Sequence, residues 1–159
     1  MDFNKKKAYE ENVSIKITKA FILILAVAAV GMCILGPKLV GMIMTKDSPM
    51  IVGNARFLIL LIGGYICATI LFVFLFTLYA MVKRIQEGKV FVAENVSSLS
   101  KLSNLVLVAC IVSFVIGITC TYMIFIITAT TAFVTPIIRV IKNAFGKAVE
   151  MQDELDYTV

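Results

Sequence analysis

The stretch 102-LSNLVLVACIVSFVIGITCTYMIFIITATTAFVTPII-138 contains no Asp, Glu, Lys, Arg or His. A membrane span needs about 20 mostly apolar residues to cross a hydrocarbon layer of roughly 30 Å. As one straight helix these 37 residues would reach about 55 Å, nearly two crossings. The stretch therefore reads as a hairpin, with its turn near Gly117 to Tyr122, where Gly117, Thr119 and Thr121 interrupt the large aliphatic residues. Two further uncharged stretches, Ala20 to Pro37 and Phe57 to Val82, contain 18 and 26 residues and each fit one crossing. The expected fold is all-α: an integral membrane four-helix bundle with a C-terminal amphipathic cytoplasmic helix. One domain covers residues 1–159, with spans about 18–37, 57–82, 100–118 and 122–141 and the amphipathic tail at 137–156.

Composition agrees with that reading. Hydrophobic residues make up 60% of the chain and charged residues 16%, against roughly 45–50% and 25% in soluble domains. Lys5, Lys6 and Lys7 resemble a basic leader, but no small-x-small cleavage site follows the first apolar run. Met32 also stands before Cys33 where a lipoprotein signal needs a small residue, so the run is read as a span. Lys5, Lys6, Lys7, Lys16 and Lys19 precede it, Lys83, Arg84, Lys89 and Lys101 follow the second span, and Arg139, Lys142 and Lys147 follow the fourth. Those twelve face one side, against Lys38, Lys46 and Arg56 on the other. Basic residues concentrate in cytoplasmic segments, which places both termini in the cytoplasm of a multi-pass cell-membrane protein. The net charge of +5 then reports topology, with anionic lipid as its natural counterpart and no direct nucleic acid binding.

The absent chemistry narrows the function classes. Histidine is missing from the whole chain, which removes Ser-His and Cys-His nucleophile pairs. Cys33, Cys67, Cys110 and Cys120 lie in or beside apolar stretches without metal-ligand spacing, so they read as reduced, small apolar residues. No ionisable residue falls in the middle of a span, although such residues are the usual marks of ion coupling. No glycine-rich phosphate loop occurs. Neither an enzyme nor a cofactor is expected.

Within the spans, Gly63-Gly64 would let helices approach closely. Thr128, Thr131 and Thr135 form a candidate polar stripe on one face just before Pro136. Their hydroxyls read first as donors to backbone carbonyls near the proline, and second as the lining of a solute path. The loop Lys38 to Arg56 is apolar for an exposed segment, with Met42, Ile43, Met44, Met50, Ile51 and Val52, so part of it belongs at the interface or against the bundle.

Two segments outside the spans are the most organised. In the first, Lys83 to Val96, Gly88 suits a left-handed helix stop and Asn95 suits an N-cap for the third span, with Phe91 and Val92 tucked under the bundle. In the second, Ile137, Val140, Ile141, Ala144, Phe145, Ala148, Val149, Met151 and Leu155 fill one half of a helix projected at about 100° per residue. Arg139, Lys142, Asn143, Gly146, Lys147, Glu150, Asp153 and Glu154 fill the other half, and Gln152 and Asp156 break the division.

Together these segments resemble the domain-of-unknown-function family 2975, small bacterial membrane proteins of four helices. The resemblance rests on Arg84-Ile85-x-x-Gly88-x-x-Phe91-x-x-x-Asn95-x-x-x-Leu99 and on Arg139-Val140-Ile141-x-x-Ala144-Phe145-x-x-Ala148-Val149, followed by acidic residues and a close containing Leu155, Thr158 and Val159. Ser100-Lys101 places the basic residue after the loop leucine one position late. The resemblance implies a gene neighbour, a small helix-turn-helix regulator of the Cro type, and no biochemical activity. The leading expectation is a regulatory or interaction protein that binds this small cytoplasmic DNA-binding regulator at its inner face. Its candidate partner-binding residues are Arg84, Gly88, Phe91, Asn95, Arg139, Phe145, Glu150, Asp153, Glu154 and Asp156. The alternative is a small transporter, channel or toxin-protection (immunity) protein working through the Thr stripe, and a third reading is a structural subunit of a larger assembly. Partners compatible with these readings are the lipid bilayer, the regulator, and further copies of the chain as a homo-oligomer.

The topology has a direct check. A reporter active only in the cytoplasm should work when fused after Val159 or inserted near Glu87, and should be silent near Asp47. The opposite pattern would reverse the orientation.

Overall fold

The computed structural model describes the backbone of residues 3–48 and 50–157 and the side chains of residues 13–48 and 50–155. It is helical throughout: α1 (Phe3–Met44), α2 (Gly53–Gln86), α3 (Ala93–Thr119), a 3₁₀ turn (Tyr122–Ile124) and α4 (Phe125–Tyr157). Each of the four helices is long and apolar enough to cross a membrane, and the chain is built as a multi-pass membrane protein. The start of α1, the end of α4 and the α2–α3 connection lie at one end of the array, called here the terminal end. The α1–α2 and α3–α4 connections lie at the distal end.

The helices pack in series: α1 on α2, α2 on α3, and α3 most extensively on α4. No Cα of the described α1 comes within 8 Å of one in α4, so the array is open on that side. Burial is accordingly sparse. Val40, Leu60, Ile116 and Cys120 form a buried apolar cluster, where the distal ends of α1, α2 and α3 meet. At Gly63 a Cβ would lie 2.3 Å from the Ile116 Cδ1, so any larger residue there would make the Ile116 side chain move. Gly117 remains inside α3, where a Cβ would lie 3.1 Å from the Phe125 ring. The reversal itself falls one turn later, at Cys120 and Thr121.

The tail corrects one expectation. Residues 137–156 continue the fourth span as expected, but α4, which runs Phe125–Tyr157, is an apolar helix rather than one with a distinct amphipathic end. Pro136 does not break α4. Proline removes one backbone donor and crowds the preceding turn, but a helix packed against a long neighbour such as α3 can carry that defect.

Pro37 inside α1 has a specific remedy. An α-helix joins the N–H of each residue to the carbonyl four positions earlier, so Pro37 leaves the Cys33 carbonyl without its donor. The Tyr65 hydroxyl of α2 donates to that carbonyl at 3.3 Å, and Gly36 beside it leaves room for the phenol ring. A hydrogen bond between the helices therefore replaces one within α1.

The distal end is closed by Arg56, which is 4% exposed. Its Nε donates to the Cys120 carbonyl at 3.0 Å, and its Nη1 to the Lys46 carbonyl at 2.7 Å. Its Nη2 donates to the carbonyls of Ile43 at 3.4 Å and Asp47 at 3.3 Å. The Ile51 amide donates to the Thr119 carbonyl at 3.0 Å, and the Ser48 hydroxyl bonds the carbonyls of Ile51 and Cys120.

The Pro37–Tyr65 pairing predicts a coupled stability effect. Tyr65→Phe should cost about 0.6 kcal/mol, typical of hydrogen bonds between membrane helices. In a Pro37→Ala background, where Cys33 regains a backbone donor, that cost should vanish. Additive effects of the two changes in a double-mutant cycle, read by unfolding in detergent, would dismiss the compensation.

Candidate interaction surface

The terminal end is organised around the connection between α2 and α3. α2 stops because Gly88 takes φ +80°, a conformation other residues adopt only under strain. The Gly88 amide then bonds the Ile85 carbonyl, and the Lys89 amide the Arg84 carbonyl, both at 3.0 Å. This pairing satisfies the last carbonyls of the helix.

Asn95 does not cap α3. The N-cap is Val92, with no side-chain bond, and Asn95 lies inside the first turn, fully buried. Its Nδ2 donates to the carbonyls of Lys89 at 2.9 Å and Val90 at 2.8 Å, and its Oδ1 accepts from Arg84 Nε at 2.8 Å. Arg84 also donates to the Ser98 hydroxyl, which in turn donates to the Glu94 carbonyl. The reason is geometric: the turn at Gly88 folds the chain back so that its carbonyls, with no amides to meet, point at the Asn95 amide. A capping asparagine would have spent its oxygen on α3 instead.

The expected partner-binding residues thus divide. Arg84, Gly88 and Asn95 are committed to holding the connection in shape. Phe91 and Phe145 are brought together, with ring centroids 5.5 Å apart and planes tilted by 51°, so the connection and the α4 extension form one continuous surface. Arg139 Nε donates to the buried Ser103 of α3 at 3.3 Å, one turn beyond Leu99. Glu150, Asp153 and Glu154 are exposed at the far end of α4, and the side chain of Asp156 lies outside the described residues. Along the extension, Phe145, Ala148 and Val149 are half-buried, while Val140, Ile141, Met151 and Leu155 are exposed.

The Thr stripe sits away from this surface. Thr128 bonds the Ser113 hydroxyl of α3 at 3.0 Å, and Ser113 donates to the Cys110 carbonyl at 3.0 Å. Thr131 and Thr135 donate to the carbonyls of Ile127 and Thr131, each at 2.8 Å. Among the described residues, no group of three His, Cys, Asp or Glu side chains could hold a metal ion. Sequence reasoning missed Ser98 and Ser103, although serines opening an otherwise apolar span are a signal for polar contact between helices. It also missed Arg56, a lone cation at the edge of an apolar stretch.

Removing the Asn95 amide leaves the Lys89 and Val90 carbonyls without these donors and Arg84 without one acceptor. Asn95→Ala should therefore lower stability by about 2 kcal/mol and make the Lys89 bond accessible to trypsin. Gln86→Ala, on the exposed side of the same turn, should leave trypsin cleavage at Lys89 unchanged. Equal digestion of Asn95→Ala and the parent would refute this role.

Comparison with curated proteins and with solved structures finds no match to the chain. The family comparison does, and its match to residues 10–159 takes in α2, α3, α4, both motifs at the terminal end and nearly all of α1. The chain belongs to the family described as protein of unknown function (DUF2975).

Proposed function

We propose that this protein is a membrane-bound interaction protein, not a catalyst, whose terminal end faces the cytoplasm and binds a small soluble regulator. The observation that carries this reading is the Phe91–Phe145 contact. It joins the rigid α2–α3 connection to the α4 extension, making one shaped surface from two separate parts of the chain. The basic-residue imbalance supports a cytoplasmic position for that surface.

On this reading the α4 extension is amphipathic beyond the membrane. Its exposed Val140, Met151 and Leu155 offer apolar contact area, and its closing acidic residues offer charge. DNA-binding domains carry basic surfaces, which exposed Glu150 and Asp153 would attract from solution. The gene neighbour implied by the family resemblance, a small helix-turn-helix regulator, is a partner of that kind. The Thr stripe supports a solute path less well, because its hydroxyls are spent on carbonyls and on Ser113.

The experiment is capture of the regulator encoded next door by the full chain and by a chain lacking residues 150–159. Truncation should weaken capture, and moderate salt should weaken it for the intact protein as charge screening predicts. Equal capture with and without the tail would rule out acidic docking. No capture by either chain would reject the regulator reading.

A further inference from the structure

A groove of about 670 Å³ runs between α1 and α2 near the terminal end. Its floor is the buried pair Ile22 and Leu75, and its sides are Leu23, Phe72 and Phe76. Leu23 is 67% and Phe76 75% exposed, so the groove opens sideways, toward the lipid in a membrane. Its one charged lining residue is Lys19. Lys19 is the last charged residue before the uncharged run Ala20 to Pro37, and Lys83 the first after the uncharged run Phe57 to Val82. Both therefore stand at headgroup depth, with the groove extending from them into the hydrocarbon layer.

Lys19 is held in place. Its ammonium donates to Gln86 Oε1 of α2 and lies 5.5 Å from the centroid of the Tyr79 ring. Neither partner is anionic, so its positive charge is positioned without being neutralised, and one of its three N–H donors is used by Gln86. Lys16 stands one turn earlier on α1 and Lys83 one turn before Gln86, both exposed, with the acidic Glu87 next to Gln86 in the chain. An apolar channel ending in a fixed cation matches a molecule with a long hydrocarbon chain and an anionic head.

We propose that this groove is a binding site for one anionic phospholipid, with an acyl chain along Ile22, Phe72 and Phe76 and its phosphate at Lys19. The site does not depend on the regulator reading. A basic residue near an anionic headgroup shifts affinity by about fivefold, which sets the scale of the preference expected from Lys19.

The test titrates the purified full chain in neutral detergent with phosphatidylglycerol or phosphatidylcholine of identical chains, counting bound lipid by native mass spectrometry. The intact protein should retain phosphatidylglycerol about fivefold better. Lys19→Gln should bring the two lipids to equal retention, and Lys19→Arg should keep the preference. Ala26→Phe, which fills the groove from α1, should reduce retention of both lipids. Glycerol phosphate, the headgroup chemistry without chains, should not compete. Equal retention by the intact protein, a preference that survives Lys19→Gln, retention unchanged by Ala26→Phe, or competition by glycerol phosphate would each overturn the proposal.

Discussion

The fold depends on Arg56 and the carbonyls it collects. In a hydrocarbon layer a backbone carbonyl without a donor costs several kcal/mol, and every helix ends with carbonyls that have no helical partner. α1 and α3 both finish at the distal end, so their free carbonyls face the same small volume. One guanidinium, with five donors in a planar fork, reaches Ile43, Lys46 and Asp47 from the α1 side and Cys120 from the α3 side. The negative ends of two helix dipoles also balance a buried cation. Arg56 therefore binds three segments at once, which apolar contact alone would not orient.

The terminal end solves the same problem with different parts. There α2 ends, and the glycine turn returns its carbonyls to its own chain. The carbonyls of the connection go to Asn95, and Arg84 joins Asn95 to Ser98. Between the ends, Tyr65 repairs the defect at Pro37 and Ser113 receives Thr128. Lipid supplies no water-like driving force to hold helices together, so each neighbouring pair relies on close packing and on such polar joints. The α2–α3 pair uses Gly63 for the first and Arg84 for the second.

Helix number and spanning character were legible because charge-free runs of the required length are rare in soluble chains. The stop at Gly88 was legible too, since only a positive φ gives glycine that use. What escaped was tertiary. Asn95 looks like a cap from its place before an apolar run, but which carbonyls face it depends on how the turn folds back. Arg56 looks like a topology marker, because its partners, 9 to 64 residues away, are backbone atoms with no side-chain signature. The contact between Phe91 and Phe145 joins positions 54 apart in number, and neither residue announces the other. The amphipathic tail is not set apart for a related reason: its residues continue α4, whose apolar span sets the character of the whole helix.

Serial packing has a bearing on how the chain is made. Each helix docks mainly on the one before it, so every span finds its neighbour almost as soon as it enters the membrane, and few contacts wait for distant sequence. Arg56 departs from that order. Its α1 carbonyls are already present when it is synthesised, but Cys120 follows 64 residues later. Until then that side of the guanidinium is left to water and lipid headgroups. The distal end is thus finished late in synthesis, when the end of α3 arrives and its Cys120 carbonyl takes the place of that solvent.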